Sequence, residues 1–438
     1  MEKKKKAGVI SLGCDKNRVD TEKMLSRLSE KYEITSDPEE AEILVVNTCA
    51  FLNDARKEAI EEILSCARLK ESGRLEKLAV TGCLPQKFGE EVFAGIPEID
   101  VMAGISDYDK LVFAIEESYG GVRKNIVGKP ACEPDVPRVL TTDGYAYLKI
   151  ADGCSNFCTY CLIPKIRGAY RSVPEDQLVR EAAALGELGE LVLVAQDVTK
   201  YGTDLSGGEN VVRLIRRLSA LENVKKIRLL YCYPESVSEE LIDEIAKNDK
   251  VLKYIDIPLQ HADDGVLRRM NRKGTYQSYL ALVKKLKERV PGIAVRSTFI
   301  AGFPGESEEA FARLCAFLEE AELFNAGFFR YSREEDTAAA RLDGQIPARV
   351  KTARVKKLYA VQKKIVKKQL AAQVGRELDV FVENFDGACW AGRAYFNAPE
   401  IDGKVYFTGG REFRAGDTAK VKITGAGDYD LFGEAVDK

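Results

Sequence analysis

Nine short apolar runs, divided by polar stretches with helical periodicity, constrain the fold of this 438-residue chain more than any other feature. Three lie near the N-terminus, at 7–13 (AGVISLG), 43–48 (ILVVNT) and 78–82 (LAVTG), with helical patterns such as 17–31 and 53–69 between them. Unbroken β-branched runs are the mark of strands buried on both faces of a parallel sheet. Residues 1–127 are therefore expected to form a small doubly wound α/β domain. Six further runs, YAYLKIA, ELVLVAQ, IRLLYCY, YIDIPL, AVRSTFIAGF and FNAGFFRYS, recur at roughly 30–40-residue intervals over 144–345. They predict a full or partial (β/α) barrel, with its reactive residues at the carboxyl ends of the strands. A doubly wound open sheet is the alternative.

The remaining segments differ in character. Residues 128–143 (GKPACEPDVPRVLTTD) carry three prolines and read as a linker. Residues 346–374 are expected to form one basic linker helix, with Pro347 where a helix start tolerates it. From 347 to 374 there are nine Lys and Arg and no acid, which suits either a solvated linker or a face that touches nucleic acid. Residues 375–438 hold five alternating segments separated by Gly and Asp turns, the pattern of a small antiparallel β-barrel of OB-like kind. This module has twelve acids against eight bases, a poor match to a polyphosphate and a better one to a basic protein.

Composition excludes several classes. With 66 basic and 69 acidic residues the net charge is −3, so the chain as a whole is no polycation built to wrap nucleic acid. The single histidine, His261, rules out sites that need two or three imidazoles. No GxGxxG or P-loop motif is present. No apolar stretch reaches the ~18 residues of a membrane span. The start, MEKKKKAGVISLGC, imitates a lipoprotein signal, but its apolar run is short and Leu12 sits in the wrong place, so it reads as a basic start to a buried strand. Eleven cysteines, an odd number at irregular spacing, do not make a disulfide framework and indicate a reducing compartment, hence a cytoplasmic protein.

Two cysteine constellations carry chemistry. Cys154, Cys158 and Cys161 form CxxxCxxC (CSNFCTYC) in the loop after the barrel's first strand. Three thiolates on one loop suit a 4Fe-4S cubane with one iron left open; zinc or unligated thiols are the alternatives. Cys14, Cys49 and Cys83 each follow one of the three N-terminal strands, in VISLGC, LVVNTC and LAVTGC. The carboxyl ends of a parallel sheet share one edge, where ligands bind, so three cysteines 35 and 34 residues apart are expected to converge. Taken singly, each reads as a buried structural cysteine. Cys66, Cys132, Cys232, Cys315 and Cys389 show no common pattern.

CxxxCxxC after the first strand of a (β/α) barrel resembles the radical S-adenosylmethionine superfamily. The full order of dispersed N-terminal cysteines, radical barrel and small β-barrel of the TRAM type is similar to the methylthiotransferase family over essentially the whole chain. ADGCSNFCTYCLIPKIRG, AQDVTKYGTDL and YSREEDTAAARLDGQIP look most like the branch that modifies an aspartate of ribosomal protein uS12. tRNA-modifying relatives usually carry an asparagine-containing sequence in place of AQDVTKYG. The resemblance implies two 4Fe-4S clusters, one at Cys154/Cys158/Cys161 that generates a radical from S-adenosylmethionine, and one at Cys14/Cys49/Cys83 that delivers sulfur. It implies that the radical takes hydrogen from the aspartate β-carbon, that a second S-adenosylmethionine supplies the methyl group, and that a sulfur source and a low-potential electron donor take part. An unactivated C–H bond offers no acidic proton, so a radical does what acid–base catalysis cannot. The expected partner is uS12 on the small ribosomal subunit, with ribosomal RNA touching helix 346–374. Methylthiolation of a tRNA adenosine is the runner-up, and a redox-sensing iron–sulfur module is a third reading.

Weaker candidates complete the list. Tyr160 occupies a position where the superfamily often places an aromatic near the adenine, and is equally readable as a structural ring. Gln196 and Asp197 end the second barrel strand, and Arg296 and Ser297 lie in the fifth; all are candidates for cofactor or substrate contact. Gln260 and His261 end the fourth strand, where a lone histidine is more often a hydrogen-bonded structural group. Asp15, Lys16 and Asn17 follow Cys14 and read either as site residues or as a solvated loop.

Overall fold

A computed structural model describes residues 4–132, 134–409 and 412–436. The chain divides into two compact units, one of the described residues up to 141 with 147–157 and 161–185, the other of 142–146, 158–160 and the described residues from 186 onward.

The first unit opens with β1 (Lys6–Ser11), α1 (Asp15–Ser29), β2 (Glu33–Ile34), β3 (Ile43–Thr48), α2 (Asn53–Glu71), β4 (Lys77–Gly82), α3 (Cys83–Gly95), β5 (Val101–Met102), α4 (Tyr108–Ser118) and β6 (Lys124–Asn125). The sheet order is β2-β1-β3-β4-β5-β6, parallel throughout. All six residues of β3 are buried, which is why ILVVNT shows no alternation. Leu44, Val46, Leu78 and Val80 pack with Ala59 and Ile63 of α2 on one face. Ile43, Val45 and Ala79 pack with Met24 and Leu28 of α1 and Leu111 and Ile115 of α4 on the other. The domain is thus doubly wound. β2, β5 and β6, at two residues each, are too short to leave a periodicity in the sequence.

Residues 128–143 have no regular structure among those described, yet they do not hang free. Arg138 is buried against Glu22 of α1 and bonds Glu181 at 2.7 Å. Val139 donates its amide to the Glu22 carbonyl (3.1 Å), and Thr141 donates both amide and hydroxyl to the Glu22 carboxylate. The expected linker is a strap. Next come β7 (Tyr145–Lys149), β8 (Ala151–Asp152), α5 (Ile163–Ile166), β9 (Arg171–Ser172) and α6 (Glu175–Ala184), with β8 and β9 paired antiparallel.

The second unit continues with β10 (Glu190–Val194), α7 (Val211–Ser219), β11 (Ile227–Leu229), α8 (Glu239–Lys247), β12 (Tyr254–Asp256), α9 (Asp264–Arg269), α10 (Tyr276–Arg289), β13 (Ala294–Ala301), α11 (Glu308–Ala321), β14 (Asn325–Arg330) and α12 (Ala348–Ala371). β10 pairs with β11, and β12, β13 and β14 pair in order, all parallel; a parallel bridge from Ile227 to Val251 links the two sets. The fit is to a partial (β/α) barrel. In β13 buried and half-buried residues alternate. Phe299 packs on Phe317 of α11 and Phe328 of β14, so Arg296, Thr298 and Ile300 face the other way, into the lumen.

α12 departs from the reading of a solvated linker. It buries Leu358, Ile365, Val366 and Leu370, and its inward Arg354 bonds Glu306 at 2.8 Å and Glu308 at 2.6 Å. Lys351 donates to the Tyr331 carbonyl, Lys363 and Lys367 pair with Asp428, and Lys368 pairs with Glu322. The charge run concealed an apolar stripe that packs against the barrel.

The C-terminal strands β15 (Glu377–Phe385), β16 (Trp390–Arg393), β17 (Val405–Thr408), β18 (Thr418–Ala426) and β19 (Leu431–Ala435) close a barrel in the order β15-β16-β17-β19-β18. Four pairings are antiparallel, and β17 with β19 is parallel. A buried ion network ties this barrel to the larger one. Glu190 of β10 bonds Arg228 of β11 (2.5 Å) and Arg393 of β16 (2.8 Å), and Arg393 also bonds Glu383 (2.6 Å). Burial alone would raise the Glu190 carboxyl; the two guanidinium groups outweigh it and hold it below the ordinary glutamate range. Such a group adds stability above the ordinary glutamate pKa, and the gain is lost as pH falls through the lowered value. Replacing Arg393 by Met leaves Glu190 and Glu383 each short of a buried partner, so about 3–5 kcal/mol of stability should be lost at neutral pH. The deficit should shrink as the carboxylates protonate. Urea denaturation at pH 7 and pH 4 checks both statements.

Candidate functional site

The first site lies on the sheet edge of the first unit. β1, β3 and β4 are neighbours, with Ser11 opposite Asn47 and Thr48 opposite Gly82. Cys49 and Cys83 directly follow their strands, and Cys14 follows β1 after the turn Leu12–Gly13. Adjacent parallel strands therefore bring Cys14, Cys49 and Cys83 to one edge. Two glycines permit the close approach. Gly13 has φ +101°, and a Cβ there would lie 2.8 Å from the Cys49 Cβ. At Gly82, with φ +97°, it would lie 2.5 Å from the Thr48 carbonyl oxygen. Cys14 is the N-cap of α1 and Cys83 the first residue of α3. Cys14 is exposed, Cys49 half-buried and Cys83 buried. Burial pushes the Cys49 thiol up and the Cys83 thiol up to about 12.

The opposing charge comes from Arg167, a residue the sequence reading did not single out. Its guanidinium, 1% exposed, bonds Asp152 (2.9 Å) and the Asn17 side-chain oxygen (2.6 Å). It also lies 3.4 Å from Asp20 and 3.7 Å from the Cys83 Sγ. Lys149 bonds Asp20 from the strand side. Asn17 is fully buried and donates to the Leu12 and Thr48 carbonyls at 2.9 and 3.0 Å. It thus ties the turn before Cys14 to the residue before Cys49. The solvated-loop reading of Asp15, Lys16 and Asn17 fails, because α1 begins at Asp15 and turns Asn17 into the sheet edge. Lys16 is buried and pairs with Asp15 at 2.8 Å.

The second site is the loop of Cys154, Cys158 and Cys161, all half-buried. In the first unit, the Cys154 amide donates to the Gly168 carbonyl (3.1 Å) and the Tyr170 amide to the Ser155 hydroxyl (3.2 Å). A Cβ on Gly153 would lie 2.2 Å from the Ala169 carbonyl oxygen. Phe157 holds φ +51° and is exposed. In the second unit, Thr159 donates to the Met270 carbonyl (3.0 Å) and receives the Ala339 amide (2.9 Å). Arg272, also missed, is buried over the Tyr233 ring at 4.2 Å. Burial would lower its pKa, and charge interactions with Tyr160, Tyr279 and Cys158 more than offset that. Nothing in the sequence marks either arginine, since only folding surrounds them with acids or aromatic rings.

Among the described residues no three Cys, His, Asp or Glu converge on a single ion position. A cubane sets its thiolates farther apart, because each binds a different iron. Three thiols per site, one backbone-cradled loop and one sheet edge beside a buried cation fit that donor set.

Gln196 lies just past the carboxyl end of β10, and Asp197 beside it is buried and accepts from the Thr199 hydroxyl at 2.6 Å. Tyr160 stands edge-on to Phe303 at 6.5 Å, against a cluster with Val266, Met270 and Tyr331. Arg296 is engaged by Asp256 (3.0 Å) and Asp402 (3.4 Å). Ser297 is buried and donates to the Ile257 carbonyl. His261 is wholly buried; its Nδ1 accepts the Asp263 amide and its Nε2 lies 3.4 Å from Glu306. Gln260 holds φ +70° at the bridge to Phe299.

Comparison with known proteins adds the following. Residues 148–318 match the radical SAM superfamily, 6–104 a family described as uncharacterized (UPF0004), and 374–436 the TRAM domain. The chain is 44% identical over 443 residues to the ribosomal protein uS12 methylthiotransferase RimO of Clostridium botulinum, covering 99% of each. It is 44% identical over 438 residues to RimO of Clostridium tetani, covering 99% of this chain and 98% of that one. Among solved structures, the radical S-adenosylmethionine methyltransferase TsrM from Kitasatospora setae, with cobalamin and a [4Fe-4S] cluster bound, aligns with TM-score 0.55 at 15% identity, over 88% of this chain and 81% of that one. The cobalamin-dependent enzyme OxsB aligns with TM-score 0.53 at 14% identity, over 84% and 56%. These two similarities concern the fold.

Burial orders the reactivity of the three edge cysteines. In metal-free, reduced protein at pH 8, iodoacetamide should modify Cys14 first and Cys83 last, by at least tenfold, as read by peptide mass spectrometry over time.

Proposed function

Because the chain belongs to the RimO family of radical S-adenosylmethionine methylthiotransferases, we propose that it transfers a methylthio group to the β-carbon of an aspartate in ribosomal protein uS12. One observation carries the reading: three cysteines end adjacent parallel strands in a chain whose barrel carries CxxxCxxC after its first strand. When bound, a 4Fe-4S cluster and S-adenosylmethionine at Cys154/Cys158/Cys161 supply a radical able to open a C–H bond, and a second 4Fe-4S cluster at Cys14/Cys49/Cys83, fed by a sulfur source, supplies the methylthio sulfur.

The residues of the chain do the holding and orienting. Gly153 and the Gly168 carbonyl fix the start of the CxxxCxxC loop. Gly13, Gly82 and Asn17 draw the strand ends together so that three thiols serve one site. Of the non-cysteine candidates, Gln196 is the best placed for the cofactor, at a strand's carboxyl end. Tyr160 packs on the cluster of Phe303 and Tyr331 beside the cysteine loop, and Arg296 faces the lumen but is held by two carboxylates.

The acidic C-terminal barrel suits a basic ribosomal protein, and its twelve acids disfavour a tRNA backbone. α12 has committed much of its charge to intramolecular pairs, which leaves exposed residues such as Lys356 and Lys364 as the candidates for ribosomal RNA contact. No described helix is long and apolar enough to cross a membrane; action on a ribosomal protein would place the enzyme in the cytoplasm, with a low-potential electron donor.

The test is an anaerobic reaction of reconstituted enzyme with S-adenosylmethionine, reductant and sulfide, offered purified uS12, small subunits or tRNA. Mass spectrometry should find a methylthio group on a uS12 aspartate and none on adenosine. Product on tRNA alone would overturn the substrate. A Cys14/Cys49/Cys83 triple Ala variant should still cleave S-adenosylmethionine reductively and form no methylthio product.

A further inference from the structure

Among the groups the proposed chemistry leaves without a task, the buried cation beside the sheet-edge cysteines is the one whose placement has a direct chemical consequence. Arg167 has an Nη2 3.7 Å from the Cys83 Sγ, and charge interaction reaches Cys14 as well. The facing groups are Asp152 at 2.9 Å, Asp20 at 3.4 Å and the neutral Asn17 at 2.6 Å, with Lys149 behind the two acids. Burial excludes the water that would otherwise screen these charges. Chain connectivity adds a second role. Arg167 is followed by Gly168, whose carbonyl receives the Cys154 amide, so the same short segment touches both cysteine sites within the first unit.

We propose that Arg167 is a positioning residue that sets the reduction potential of the cluster at Cys14, Cys49 and Cys83. This rests on the cluster assignment made above. A hydrogen-bond donor and a positive charge at a ligating sulfur stabilise the reduced, more negative cluster and raise its potential. Asp20 and Asp152 restrain that effect, so the potential follows the balance of charge around the guanidinium.

The experiment uses full-length protein carrying Cys154→Ala, Cys158→Ala and Cys161→Ala, so that one cluster remains. Anaerobic redox titration followed by electron paramagnetic resonance reads its midpoint potential, and iron analysis reads its occupancy. Absence of any cluster in this parent would refute the cluster assignment itself. With the cluster present, Arg167→Gln should shift the midpoint downward, and Arg167→Lys should shift it less. Asp20→Asn, which removes a facing negative charge and touches no cysteine, should shift it upward. The Asp20 variant also decides the matter if Arg167→Gln fails to hold iron. Unchanged midpoints at full iron content, or a downward shift in Asp20→Asn, would overturn the proposal while leaving the cluster assignment standing.

Discussion

A guanidinium withdrawn from water is tolerable only where acids and acceptors enclose it, and in the first unit that enclosure does much of the organising. Asn17 and Asp20 of α1, Asp152 and Cys83 reach Arg167 from three separate segments of sequence. Each is itself buried, so none has a cheap alternative partner in water. Satisfying one cation thereby fixes the first turns of α1, the head of α3 and the stretch before the CxxxCxxC loop. Glu22, two residues beyond Asp20 on α1, extends the same logic by gripping the strap through Arg138 and Thr141. Apolar packing builds the sheet, and buried polar groups decide how the loops at its edge are arranged.

The sheet edge also explains how three thiols so far apart in sequence come to lie at one end of the sheet. In a parallel sheet the only freedom left after strand order is set lies in the turns. Here Gly13 and Gly82 adopt positive φ where any Cβ would strike the neighbouring strand's end. A bulkier residue at either place would push a cysteine off the edge without disturbing the core.

Much of this was legible in the sequence. The nine apolar runs all became strands, and the convergence of Cys14, Cys49 and Cys83 followed from their position after three of them. The short strands β2, β5 and β6 were invisible because two residues carry no period. The burial of Asn17 and Arg167 was invisible for a different reason: both are polar residue types that local pattern assigns to surface, and only partners distant in sequence pull them inside. The solvated-linker reading of the basic helix failed for a related reason. Its lysines dominate the composition, while the stripe of Leu358, Ile365, Val366 and Leu370 that orients it is thinner than the charge around it.

The shared ownership of Glu190 has an evolutionary corollary. A small β-barrel at the end of a chain invites the picture of a detachable reader that lineages trade freely to change what an enzyme recognises. Here Arg393 of that module neutralises a carboxylate inside the catalytic barrel's own wall, alongside Arg228. Any graft must therefore bring a matching cation in register with the host's acid, or the host must lose the acid first. Changes of target are thus more accessible through the barrel's outward loops than through exchange of the whole module.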